Sequence, residues 1–367
     1  MNKQDRLYSL DALRGFDMFF IIGGAELLKS ICDIFQSSFS SFIAQQMTHA
    51  EWHGFTFYDM IFPLFLFIAG VSFPYSLAQN RLKGFSTSKI MYSIFKRGIK
   101  LIILGLIFNR FLAFDFEHMR YASVLGRIGI AWMLAALIYT LGGKKWAVGI
   151  GVFFLIGYYV LCAFVPSPFA PLGASPFSIE GSVITWFDVH YLPGRCLEGT
   201  YDPLGLLSTI PAVVTALLGI LTGCFLKENQ LPDKKKVIWM FCFATGLVVI
   251  GLAWNLLFPI NKKLWTSSYV CFAGGLSLLL LTLFYWIIDV LKFKKWSFAF
   301  TVIGLNSITI YMAQKIVDFY HISDFLSKGT VHLFPETIQP LLQAIFYLIV
   351  VWSFLYFLYR KNIFLKI

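Results

Sequence analysis

The sequence is short of charge. Asp, Glu, Lys and Arg make up only 13% of its 367 residues, about half the share of an average soluble domain. That excludes an ordinary water-solvated surface. Cysteine is scarce too: six residues, with no C-x-x-C among them. Zinc-ribbon and thioredoxin-like sites are therefore excluded, and most of the thiols sit in apolar runs as packing residues. No regular repeat and no low-complexity tail appears, which argues against solenoids and disordered tethers. The start, "MNKQDRLYSLDALRG", is polar, and no small-residue cleavage site follows the first apolar run. That run reads as a retained helix rather than a signal peptide.

What the chain does have is apolar surface. Hydrophobic residues make up 58%, with 40 Phe, and mean hydropathy is +0.73. These values predict an all-α polytopic membrane protein, one transmembrane domain over 1–367. The net charge of +11 would suggest nucleic acid in a soluble protein. In a membrane chain it reports sidedness instead, so lipid is the expected partner and nucleic acid is not.

A spanning helix needs about 20 largely apolar residues. Ten segments qualify: 15–31, 57–79, 91–112, 123–142, 146–165, 205–226, 237–258, 267–289, 298–318 and 338–359. One alternate set of connections carries seventeen Lys and Arg, including Lys3, Arg6, Arg81, Lys144, Lys227 and Lys366. The other set carries five: Arg120, Arg195, Lys262, Lys263 and Lys328. The positive-inside rule then places both termini in the cytoplasm. The longest connections, 32–56, 166–204 and 319–337, face outward. The second, with "VPSPFAPLGASPFSIEGS", reads as an ordered lid.

Ionisable residues in spans are expensive and mark sites or pathways. Asp17 and Glu26 fall in the first span and Asp59 at the outer start of the second. Arg127 opens the fourth, and Asn306 lies in the ninth. Asp11 and Asp17 are candidates to pair with Arg14 or Arg97, and Gly23 and Gly24 to permit close helix approach. "MTHAEWHGFTFYDMIFPLFLFIAG" (47–70) sets two histidines, a glutamate and an aspartate at the mouth of a span. Three readings stand. His49 and His53 are i and i+4, a zinc-ligand spacing on a helix, but a third ligand is missing. They are interfacial residues of a polar loop. Or one histidine is a general base oriented by Asp59 or Glu51. "TYDPLGLLSTIPAVVTALLG" (200–219) makes a turn at Asp202-Pro203 and then a helix start. That start either attracts an anion or is simply capped and kinked at Pro211.

Five stretches together resemble a family: "SLDALRG" (9–15), "HAEWHGFTFYDMIFPLFLFIAG" (49–70), "RYASVLGRIGIAW" (120–132), "YDPLGLLSTIPAVVTALLG" (201–219), and "GLNSITIY" (304–311) with "YRKNIFLKI" (359–367). They are similar to the transmembrane acetyltransferases typified by heparan-α-glucosaminide N-acetyltransferase, and especially to shorter bacterial relatives. The resemblance implies transfer of acetyl from cytosolic acetyl-CoA, a co-substrate, to a glucosamine-type amine across the membrane, with no metal. The family's histidine falls on His49 and its aspartate on Asp59, leaving His53 as a pocket residue. The family's asparagine late in the first helix has no counterpart here, and Glu26 is the candidate replacement. Arg127 and Asn306 are candidates for the oxyanion, with Asp202 beside the pocket. Lys96, Arg97 and Lys100 either hold the nucleotide end of CoA or are ordinary anchors. The resemblance further implies a homodimer in the bacterial cytoplasmic (inner) membrane and an amino-sugar or oligosaccharide acceptor. The competing classes are an O-acyltransferase of a surface glycan and a small-molecule or lipid transporter. No inverted repeat of the kind many transporters show is visible. Acceptor, acyl chain, direct or ping-pong transfer, and a Cys32–Cys196 disulfide stay open.

Overall fold

The computed structural model describes residues 7–228 and 230–365. Lys3, Arg6 and Lys366, used above for sidedness, lie outside the described residues. The described chain consists of helices and irregular connections, with isolated bridges pairing Arg120 with Gly194 and Pro166 with Ser182. It falls into two compact units. One gathers residues 7–50, Thr56–Ile61 and residues 280–365. The other gathers Glu51–Phe55 and Phe62–Leu279.

The first unit opens with α1 (Tyr8–Phe19), which passes through a π-helical turn (Phe20–Gly24) into α2 (Ala25–Phe35). The expected single span over 15–31 is thus interrupted. Gly23 has φ 131°, a backbone state that only glycine adopts cheaply. It breaks the helix, and it also lets a later helix come close, since a Cβ there would meet the Tyr347 ring at 3.1 Å and Leu348 at 3.3 Å. The short α3 (Ser38–Gln46) follows, started by a Ser37–Ser40 capping box.

The second unit carries α4 (Ile61–Leu82, counted from Phe62), α5 (Thr87–Phe108), α6 (Val124–Phe164), α7 (Val183–Tyr191), α8 (Thr209–Leu226), α9 (Asp233–Trp254) and α10 (Ser267–Phe284) up to Leu279. α4 and α8 touch backbone to backbone. A Cβ on Gly70 would collide with the Ala216 carbonyl, and one on Gly219 with the Phe67 carbonyl. Small residues permit this approach in a membrane, where helix association depends on close packing.

α6 is not one rod. Gly143 sits at φ 67°, ψ −160°. Near its start, the Arg127 guanidinium lies 5.2 Å over the Trp265 ring. Near its end, the Tyr158 hydroxyl donates to the Leu264 carbonyl at 2.6 Å. Both ends return to adjacent residues, so the chain reverses at Gly143. The two halves, 124–142 and 144–164, match the separate spans expected at 123–142 and 146–165.

The first unit resumes with α11 (Phe298–Leu305), α12 (Ser307–Ala313), α13 (Phe319–Val331) and α14 (Gln339–Arg360). Met18 and Ile22 pack with Val302, Ile310, Phe319, Val351 and Leu355 as its core. Among the described residues six helices are long and apolar enough to cross a membrane, or seven if α11 and α12, bent by 57°, form one broken span. The protein is an integral, multi-pass, all-α membrane protein.

Candidate active site

The geometry begins with a local rule. In "TFYD", Thr56 precedes a short helical turn, Phe57–Met60, and Asp59 is its third residue. A carboxylate at that position reaches back to the N-cap amide. Asp59 Oδ2 accordingly accepts from the Thr56 amide at 3.2 Å and from the Ala50 amide at 3.2 Å. The Thr56 hydroxyl has one proton, and its closer acceptor is the Thr48 carbonyl at 2.5 Å. Asp59 is 1% exposed, and these bonds meet the cost of burying it. Its other oxygen, Oδ1, accepts from His49 Nδ1 at 2.8 Å. The His49 side chain stays 52% exposed, with Tyr58 beside it at 4.9 Å between ring centroids. A carboxylate on Nδ1 fixes the tautomer and puts the lone pair on Nε2. His49 and Asp59 both belong to the first unit.

Residues 48–55 form turns and bends rather than a helix, so the i,i+4 face supposed for His49 and His53 does not form. Among the described residues no group of three His, Cys, Asp or Glu gathers as metal ligands. Glu51, the alternative orienter, is exposed. Glu26 is exposed and paired with Lys29 at 2.8 Å. Asn306 is buried at the bend between α11 and α12, and its Nδ2 has no partner among the described residues. Asp11 pairs with Arg14 at 3.5 Å. Asp17 does not join Arg14, and its buried oxygens have no hydrogen-bond partner among the described residues.

The second unit gathers its own polar residues around the loops expected to face outward. Asn261 Nδ2 lies 3.3 Å from His53 Nδ1, which then serves as acceptor. Desolvation lowers the His53 pKa although the residue keeps an exposed face. Both effects favour a neutral ring. Lys263 donates to the Tyr201 hydroxyl at 2.8 Å and to the Glu51 carbonyl. Arg120 grips Asp202 with two bonds, 2.7 and 2.6 Å. Asp202 therefore anchors the connection before α8. Arg127 is buried and donates to the Gly205 carbonyl at 3.0 Å and to the Ser208 hydroxyl. It ties the α6 start to the α8 start, where an anion site was one of two readings.

Sequence reasoning missed Asp188. It is 2% exposed and accepts from the Leu206 amide at 2.8 Å. Burial pushes its pKa up to about 6, while the Leu206 bond and the Arg127 charge pull the other way. Its only sequence signal is an acid inside the apolar "VITWFDV". Lys96 and Lys100 sit on the exposed side of α5, and Arg97 turns away to stack 4.3 Å over Trp132. These three cations do not converge. All six thiols are free, Cys32 and Cys196 included.

Known proteins are similar to this chain over most of its length. A family model described as heparan-alpha-glucosaminide N-acetyltransferase, catalytic, matches residues 6–256. The human heparan-alpha-glucosaminide N-acetyltransferase is 26% identical over 372 residues, covering 87% of this chain and 55% of its own length. The mouse protein of the same name is also 26% identical, covering 87% and 56%. The chain thus spans about half the length of these relatives. The matched stretch holds both His49 and Asp59 and covers well over half of the chain, which therefore belongs to the heparan-alpha-glucosaminide N-acetyltransferase catalytic family.

Proposed function

We propose that the protein is a membrane-embedded N-acetyltransferase that takes acetyl from cytosolic acetyl-CoA and transfers it to a glucosamine-type amine on the extracytoplasmic side. Family membership supports the reaction class. The observation that carries the site is the 2.8 Å bond from His49 Nδ1 to buried Asp59. A half-exposed imidazole held by a fully bonded carboxylate has the form of an oriented general base.

In this reading the neutral sugar amine attacks the thioester carbonyl and a C–N bond forms. His49 Nε2 takes the amine proton. The tetrahedral intermediate collapses, the C–S bond breaks, and CoA leaves as thiolate. His49 returns its proton to that sulfur. Asp59 stays ionised and stabilises the imidazolium that forms between the two steps. The products are the N-acetyl sugar and CoA, with all protons accounted for.

The same proposal places ten spans in the bacterial inner membrane with both termini inside. The α6 hairpin, the interrupted α1–α2 segment and charged α5 supply the spans beyond the seven recognised by length and apolarity. His49 then lies at the outer face, where the acceptor arrives, in a protein that the family suggests is a homodimer.

The test is transfer from labelled acetyl-CoA to glucosamine by the purified protein in detergent, beside His49→Ala. Transfer lost in the variant supports the reading. Acetyl-CoA binding without transfer points to another acceptor or acyl chain. No acetyl-CoA binding at all refutes it.

A further inference from the structure

The second unit holds an open surface pocket of about 550 Å³ at the ends of α4 and α8 and the turn of the α6 hairpin. That volume is in the range of small-molecule sites. Arg81, Lys144 and Lys227 line it, with Glu228 as the single acid. Lys144 lies 4.0 Å from Glu228. Arg81 and Lys227 have no ion-pair partner among the described residues. One wall is apolar, made by Pro74, Leu77 and the Tyr139 ring.

Three cations from three separate connections meet here, and all three belong to the set that the charge bias puts in the cytoplasm. All three are exposed, so water screens much of their mutual repulsion, and an anion bound among them would gain from each. Arg and Lys around an apolar wall are the chemistry that takes clustered phosphates joined to a flat base.

We propose that this pocket takes the phosphorylated nucleotide end of the acyl donor, the adenosine 3′,5′-bisphosphate part of CoA. The inference rests on the acyltransferase reading. It moves the nucleotide from Lys96, Arg97 and Lys100, which diverge, to Arg81, Lys144 and Lys227, which converge. The 3′- and 5′-phosphates lie between Arg81 and Lys227, the adenine against Tyr139, and the pantetheine runs on into the helix bundle. An anionic lipid headgroup shares the phosphate chemistry but not the base.

The experiment uses the full-length protein in detergent and in nanodiscs. Adenosine 3′,5′-bisphosphate is the probe, competing with labelled acetyl-CoA. The Arg81→Ala/Lys227→Ala double variant is expected to weaken the probe about tenfold or more and to raise KM for acetyl-CoA in parallel. KM for glucosamine does not move. Glu228→Gln is expected to tighten the probe, a gain that misfolding cannot produce. If the wild type binds acetyl-CoA and the double variant binds it equally well, the site is refuted and the acyltransferase reading stands. If the wild type does not bind acetyl-CoA, both fall. If nanodiscs of phosphatidylglycerol, but not phosphatidylcholine, displace the probe from the wild type, the pocket is a lipid site and the proposal is overturned.

Discussion

Asp59→Asn separates an orienting carboxylate from a merely structural one. Asp59 Oδ2 accepts two backbone amides at 3.2 Å, and Oδ1 accepts His49 Nδ1 at 2.8 Å. Asparagine offers one acceptor end and one donor end. The amides of Ala50 and Thr56 cannot change sign, so they keep the asparagine oxygen. The new NH₂ group then faces His49 Nδ1. Imidazole can answer by switching tautomer: Nδ1 becomes the acceptor and Nε2 carries the proton. The fold loses little, but the lone pair needed to take the amine proton now points at residue 59. A general base contributes about 10²–10⁴ in rate, so the barrier rises by about 3–5 kcal/mol. The assay is acetyl transfer to glucosamine with saturating acetyl-CoA, with thermal unfolding followed in parallel. The expected result is a fall in kcat approaching that of His49→Ala, with KM for acetyl-CoA unchanged and the melting temperature nearly so. A variant within about threefold of wild-type kcat, beside an inactive His49→Ala, would refute the orienting argument.

Further outcomes follow from the second unit. Arg120→Ala leaves the fully buried Asp202 carboxylate without its two short bonds, and about 3–5 kcal/mol of stability is expected to be lost; an unshifted unfolding transition would count against it. Burial raises Asp188 from its ordinary 3.8 to about 6, so the folded state holds that proton more tightly than the unfolded chain. Its contribution to stability is full below the ordinary value and is lost as pH rises through about 6. Asp188→Asn should flatten the melting temperature between pH 4 and 7 relative to wild type, and equal slopes would dismiss the point. Gly219→Val drives a side chain into the Phe67 carbonyl and should cost about 1–3 kcal/mol by parting α4 from α8; wild-type stability in detergent would argue that the helices do not pack this closely.

The all-α, multi-pass class was legible because membrane spans announce themselves by long apolar runs. The His49–Asp59 pairing was legible because the two lie ten residues apart across one turn, and "TFYD" carries its own capping chemistry. Arg120 and Asp202 were harder. They stand 82 positions apart, and nothing local to either says they meet. Arg97 reads from sequence as one of three cations on one helix. Its direction is set by Trp132, whose place depends on how α5 and α6 pack. The i,i+4 relation of His49 and His53 fails for a related reason. The bonds to Asp59, and the Gly54 amide donating to the Ile260 carbonyl at 2.9 Å, take up backbone and side-chain groups in that stretch and hold it out of a helix.

Gly143 also decides whether α6 is one rod or two helices. Straightened, the 41 residues of α6 would form a rod of about 60 Å at 1.5 Å per residue, against roughly 30 Å of hydrocarbon. The φ 67°, ψ −160° state that prevents this is one that side chains other than hydrogen rarely tolerate. The two halves therefore fold back on each other, with Lys144 and Lys145 at the reversal. A single residue with no side chain thus turns what would be one overlong rod into two helices of bilayer length.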